Sequence, residues 1–300
     1  PQRTMLIDDA PRKIAEAAKK APSLDLAKLE PGQIIEDRYK FIQHIGKGAF
    51  GTVLLMQDEV VDEQLILKFL NPNVSSDEEM MKRFVHELRY SRKITHRNVL
   101  RTHDFGEAED GSPYISMEYV DGEDLASLLR RIERLPQSKA VQIARQLCAG
   151  LAAAHEQGIL HRDLKPANIF VHKTMEGEEQ VKILDFGLAK LAGQPLLTKT
   201  GTPLGTVSYM SPEQARGQEL SARSDLFSAG VVLAEMVEPA GIATFEDRKR
   251  LWEGIHQDAQ ISETPWSKVI AKAVSAETRD RFESASALAR ALEEVTLRAA

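Results

Sequence analysis

His161-Arg162-Asp163-Leu164-Lys165-Pro166-Ala167-Asn168, followed downstream by Asp185-Phe186-Gly187, is the most informative part of this 300-residue chain. It sets a carboxylate, an ammonium and a carboxamide within a few residues, then adds a second carboxylate. Such a set supplies a general base, a phosphate-contacting cation and two hard oxygen donors of the kind magnesium takes. Few other chemistries need all four in that order.

Upstream, Gly46-Lys47-Gly48-Ala49-Phe50-Gly51-Thr52-Val53 lies between two apolar stretches, 41–45 and 52–56, that read as strands. Glycine lets backbone amides approach phosphates without side-chain obstruction. Dinucleotide-binding folds share the G-x-G-x-x-G spacing but need a helix directly after it. Here a β-branched strand follows. Residues 64–70 read as another strand, carrying Lys68. Ser76-Asp77-Glu78-Glu79 reads as a capping box opening a helix to about residue 93, with Glu87 on it. Residues 114–120 read as a buried strand running into a linker at Asp121 and Gly122. Helical apolar spacing then dominates, at 125–131, 141–157, 224–237 and 266–274. A small sheet-rich part therefore precedes a larger helical part.

An apolar share of 42% and a charged share of 28% suit a globular chain long enough for a sizeable core. A net charge of -6 gives no global attraction to nucleic acid. Cys148 is the sole cysteine, so no internal disulfide forms, and its helical setting points to packing rather than nucleophilic chemistry. No apolar run reaches the roughly 20 residues that span a bilayer. No signal peptide is visible at the start, and the expected location is cytoplasmic. The chain starts at Pro1 rather than Met, which leaves room for a longer protein. Residues 1–36 carry no catalytic motif; 11–20 suit a short Ala/Lys helix. This segment reads equally as a mobile tail or as a regulatory arm.

H-R-D-L-K-P-x-N, D-F-G and G-x-G-x-x-G-x-V together resemble the catalytic, metal and glycine-rich loops of the eukaryotic-like (Hanks-type) serine/threonine protein kinases. The resemblance covers residues 38–296. It implies an α+β, two-lobed protein-kinase fold. Residues 37–120 form a small antiparallel-sheet N-lobe with one main helix, and 121–300 a larger, mostly helical C-lobe. Residues 1–36 stand apart as an N-terminal tail or regulatory segment. Leu164-Lys165-Pro166 points to the serine/threonine branch, and the Ser211-Pro212-Glu213-Gln214 ending to bacterial members.

The roles below are what the resemblance implies. Asp163 accepts the proton of the substrate hydroxyl, and Lys165 stabilises charge on the transferring phosphoryl group. Asn168 and Asp185 hold Mg²⁺, with Mn²⁺ as the alternative. Gly46, Gly48 and Gly51 cover the phosphates of ATP; Lys68 contacts them and pairs with Glu87. Val53 and Phe170 sandwich the adenine, Met117 is the gatekeeper, the backbone of Glu118 and Val120 meets the adenine edge, and Asp124 reaches the ribose. His161 packs and hydrogen-bonds. Glu213 pairs with Arg281, and Asp225 holds the catalytic-loop backbone. Thr198, Thr200, Thr202 and Thr206 lie in the activation segment. Thr202 is the expected autophosphorylation site, with Arg162 and Lys190 receiving its phosphate and Thr200 next in line. Thr206 contacts Asp163 and Lys165.

Four departures stand out. Ile66 replaces the small residue over the adenine, Ser211 replaces an alanine, and the segment after Val237 lacks the usual docking pattern. Ala167 replaces an acid, so no strong preference for arginine before the phosphosite is expected. The expected activity is transfer of the ATP γ-phosphate to serine or threonine hydroxyls of proteins, with self-association for trans-autophosphorylation. The expected partners include no nucleic acid and no membrane. The alternatives are a pseudokinase acting as a nucleotide-binding or allosteric module, and a small-molecule phosphotransferase. Retention of Lys68, Asp163, Asn168 and Asp185 argues against the first; Thr206 and the Ser-Pro-Glu segment argue against the second.

Overall fold

The computed structural model describes residues 25–48, 51–75, 77–132, 135–186, 208–237 and 265–299. Within helices and strands, a few side chains, that of Glu87 among them, lie outside the described set. The chain divides into two units: residues up to Lys93 with Leu100–Val120, and Ile94–Val99 with the chain from Asp121 onward.

Among the described residues, the first unit holds a six-stranded antiparallel sheet. Its elements are β1 (Ile34–Ile35), β2 (Tyr39–Lys47), β3 (Gly51–Asp58), β4 (Glu63–Leu70), β5 (Thr102–Glu107) and β6 (Pro113–Glu118), ordered β1-β2-β3-β4-β6-β5. Between β4 and β5 come a short turn, α1 (Pro72–Ser75), and the main helix, α2 (Glu78–Ser91). Alternation sorts the side chains of β4: Leu65, Leu67 and Phe69 join Phe41, Leu54, Met56 and Tyr114 in one apolar cluster. Ile66 and Lys68 therefore point to the other face.

Part of the expected tail belongs to this sheet. Ile35 is buried in the cluster, and Leu26 and Leu29 pack against it. The Leu26 carbonyl lies 2.7 Å from His44 Nε2. The reason is apolar burial, worth about 1.5–3 kcal/mol for a fully covered aliphatic side chain. Three apolar residues in a polar segment too short to show a period gave little sequence signal. Residues 1–24, including the expected helix at 11–20, lie outside the described residues.

The second unit contains α3 (Leu125–Ile132), α4 (Gln137–Glu156), α5 (Pro212–Ala215), α6 (Ala222–Val237), α7 (Pro265–Ala273) and α8 (Ala285–Ala299). A small antiparallel sheet adds β7 (Gly122–Asp124), β8 (Ile169–Lys173) and β9 (Glu179–Ile183). Helix α6 is buried almost all round, as a helix at the centre of a core must be. A Cβ on Gly230 would lie 2.8 Å from the Ala273 Cβ, so glycine brings α6 close against α7. Ile94–Val99 joins this unit because Asn98 Nδ2 donates to the Val181 carbonyl at 2.8 Å and to Gln146 Oε1 at 2.9 Å. Among the described residues, no helix is long and apolar enough to cross a membrane.

Candidate active site

The second unit brings the two motifs of the opening stretch together. Lys165 Nζ lies 2.8 Å from Asp163 Oδ2. Asn168 Nδ2 donates to the Asp163 carbonyl at 2.7 Å and to Oδ2 at 3.2 Å. With its amide nitrogen so committed, Asn168 has its oxygen left for another partner. Asp163 Oδ1 is buried and has no hydrogen-bond partner among the described residues. A buried carboxylate oxygen left this way is costly unless something else donates to it, and a substrate hydroxyl is such a donor.

Leu184 carries Asp185 to this loop. Its N–H donates to the Asn168 carbonyl at 2.9 Å, and its carbonyl lies 2.8 Å from His161 Nε2. His161 Nδ1 accepts the Asp163 N–H at 3.2 Å, so Nε2 bears the proton and donates to Leu184. Burial pushes the imidazole below its ordinary pKa, which keeps it neutral in this role, although Asp225, Asp163 and Asp185 pull the other way. Its ring packs 4.8 Å from that of Phe186. His161 is thus a buried strut between the two motifs, not a base.

Two residues here occupy the left-handed region, Arg162 at φ 67 and Asp185 at φ 54. For residues with a Cβ this costs about 1–3 kcal/mol and persists only where surroundings enforce it. Asp225 on α6 enforces it at Arg162. Its carboxylate accepts the backbone N–H of His161 at 2.8 Å and of Arg162 at 2.9 Å, with His155 Nε2 2.8 Å away. Burial works to raise the pKa of Asp225, but the His155 hydrogen bond and charge and the backbone donors hold it below the usual carboxylate value.

A second anchor holds α5. Arg281 clamps both oxygens of Glu213, at 2.7 and 2.8 Å, and Ser224 Oγ donates to one of them at 2.7 Å. The remaining donors of Arg281 reach the carbonyls of Ser275, Arg223 and Ala276. Burial alone would raise the Glu213 pKa; the bonds from Arg281 and Ser224 outweigh it and bring it down to about 2. Ser211, at the alanine position, caps α5 by accepting the Gln214 N–H.

In the first unit, the register puts Val53 opposite Lys68, and Ile66 opposite Met117. With Lys68 and Ile66 two residues apart, these four side chains share one face of the sheet. Lys68 is buried, as are Ile66 and Met117. Gly46, Gly48 and Gly51 lie on the β2–β3 hairpin, whose inner bond runs from Gly48 N to the Gly51 carbonyl at 2.8 Å. Glu118 N–H donates to the Arg101 carbonyl at 3.0 Å, just before Val120. In the second unit, Phe170 on β8 pairs with Asp124 on β7. Both oxygens of Asp124 accept from Ser127, capping α3. The Glu87 side chain, Ala49, Phe50, Lys190 and Thr198, Thr200, Thr202 and Thr206 lie outside the described residues.

The family described as protein kinase domain matches residues 39–295. The chain belongs to the protein kinase family. It is 37% identical over 281 residues to serine/threonine-protein kinase pkn3 of Myxococcus xanthus, covering 88% of this chain and 51% of that one. It is 38% identical over 252 residues to serine/threonine-protein kinase PknA of Corynebacterium glutamicum, covering 83% and 51%. The kinase domain of Mycobacterium tuberculosis PknI superposes with a TM-score of 0.66 at 25% identity, covering 89% of this chain and 99% of that one. The chain spans about half the length of the curated relatives it matches first. The expected fold, a kinase small lobe built on an antiparallel sheet and a kinase large lobe built on helices, is the one found.

Protein kinases use ATP and a divalent cation. The expected donors, Asn168 and Asp185, are oxygen-based and few: no cluster of three or more His, Cys, Asp or Glu that would hold a metal exists among the described residues. This fits a hard cation that completes its shell with phosphate oxygens and water. Sequence reasoning missed two residues that brace the loop before Asp163, His155 and Gln214. Gln214 Nε2 donates to the Arg162 carbonyl at 2.6 Å. Both act through backbone or buried carboxylate groups far along the chain, where no local pattern marks them.

Proposed function

We propose that the chain is an ATP-dependent protein serine/threonine kinase. Asp163 accepts the hydroxyl proton, Lys165 neutralises charge near it, and Asn168 and Asp185 hold the cation. The observation that carries this reading is the buried Asp163 Oδ1, left without a partner among the described residues while Oδ2 is held by Lys165 and Asn168. One oxygen is fixed, and the other is available to orient and deprotonate an acceptor hydroxyl. Bound ATP would supply the phosphoryl group, and Mg²⁺ held by Asn168 and Asp185 would offset the charge that opposes its transfer. Mn²⁺ satisfies the same oxygen donors.

Lys68 would contact the α/β-phosphates, with Glu87 as its partner. The amides of the glycine hairpin would face the phosphates. In the first unit Val53, Ile66 and Met117 would offer an apolar surface to adenine, with backbone groups from Glu118 and Val120; in the second, Phe170 would offer another and Asp124 the ribose contact. Activation proceeds by autophosphorylation in residues 198–208, at Thr202 first, in an encounter between two copies. Thr206 contacts Asp163 and Lys165. A cytoplasmic location of this domain goes with the same reading. The names of the pkn3 and PknA relatives support a serine/threonine acceptor.

The test is incorporation of labelled phosphate from Mg-ATP, with Asp163→Asn alongside. Label on the wild type alone, mapped within residues 198–208, is expected. No label on the wild type with Mg²⁺ or Mn²⁺, or equal label on Asp163→Asn, overturns the reading.

A further inference from the structure

We infer that Gln214 is a positioning residue for Asp163, and that it transmits the placement of the activation-segment end to the peptide bond in front of the base. This rests on the reading of Asp163 as the base.

The Arg162–Asp163 peptide is gripped at both polar atoms. Its N–H, on Asp163, donates to His161 Nδ1 at 3.2 Å. Its carbonyl, on Arg162, accepts from Gln214 Nε2 at 2.6 Å. A carbonyl only accepts, so the amide nitrogen of Gln214 must face it. The preceding peptide, through the Arg162 N–H, is held by Asp225. Arg162 at φ 67 is therefore fixed on both sides, and rotation of the Arg162–Asp163 peptide, which would turn Asp163, is opposed by Gln214 and His161.

Gln214 itself is rigidly mounted. Its neighbour Glu213 is clamped by Arg281, and its own N–H is capped by Ser211 Oγ. It sits in α5, which begins shortly after residues 198–208, the region proposed to be phosphorylated. The Glu213–Arg281 anchor thus reaches the base through one side chain. Gln214 is partly buried, and its amide spans to a backbone oxygen 52 residues earlier in the chain. Losing one such hydrogen bond corresponds to a rate change of about three- to tenfold if it is made in the transition state.

The experiment measures steady-state transfer to dephosphorylated casein, across ATP concentrations and pH, for wild type, Gln214→Met, Gln214→Glu and Asp163→Asn. Thermal midpoints are recorded for each. Gln214→Met is expected to lower kcat about tenfold with KM for ATP unchanged and little change in midpoint. Gln214→Glu sets a carboxylate against a carbonyl near about pH 8, but regains a donor as it protonates toward about pH 5.5. Its activity relative to wild type should rise at least about threefold over that range, while the Gln214→Met ratio stays flat. Wild-type kcat in both variants overturns the inference, as does a loss that follows the thermal midpoint with no pH-dependent recovery. An inactive wild type, or an Asp163→Asn as active as wild type, overturns the reading of the base and this inference with it.

Discussion

Asp225 holds the backbone of Arg162 in a conformation a residue with a Cβ rarely adopts: its Oδ1 accepts the Arg162 N–H at 2.9 Å while Arg162 sits at φ 67. The other oxygen takes the His161 N–H and faces His155 Nε2. One buried carboxylate therefore satisfies three donors around the loop that carries the proposed base.

Asp225→Ala leaves those donors buried without their acceptor. Breaking such a network costs about 3–5 kcal/mol. The expected outcome is a matching drop in unfolding free energy by urea titration, with kinase activity lost. Asp225→Asn, which keeps the volume but turns one acceptor into a donor, should lie between the two in stability while still losing most activity.

Glu213 gives a pH signature. Its folded pKa, about 2, lies below the ordinary 4.5, so the ion pair with Arg281 contributes stability that is full above about pH 4.5. That contribution is lost as pH falls toward about 2. Glu213→Gln should therefore be markedly less stable than wild type at neutral pH, and the gap should close progressively through that acid window. A gap independent of pH in equilibrium unfolding would show that the charge of Glu213 is not what stabilises the anchor.

The hairpin glycines should separate into two kinds. A Cβ on Gly51 would meet the Phe69 carbonyl oxygen at 1.9 Å, so Gly51→Ala must push β3 off β4. We expect a loss of about 3 kcal/mol in stability. At Gly48 the nearest atom to a new Cβ is 4.0 Å away. Gly48→Ala should leave stability within about 0.5 kcal/mol and instead raise KM for ATP, because the methyl obstructs the phosphates. Thermal melts beside ATP titrations check both.

Cys148 is buried on α4, and burial pushes its thiol up to about 12. It should resist iodoacetamide in the folded protein near neutral pH and react once the second unit unfolds. Its alkylation rate in increasing urea should then follow the unfolding transition of that unit.

Sequence alone determined the family and marked the residues proposed to carry chemistry, because the proposed base, its lysine and the proposed cation ligands sit in two short motifs. Their spacing is a local property, legible before any contact is known. It also determined the strands around Lys68 and the long helices, since apolar periodicity is set by one face being buried. The short strands β1, β5 and β7–β9 left no such period. Only the tertiary structure decided that Leu26, Leu29 and Ile35 belong to the first unit's core. It alone gave residues 94–99 to the second unit, joined Gln214 to the loop before Asp163 and set His155 against Asp225. In those links Gln214 reaches a backbone carbonyl, which every residue carries alike, and His155 meets a carboxylate 70 residues away. No choice of side chain marks them in sequence, and they exist only once folding brings distant segments within hydrogen-bond reach.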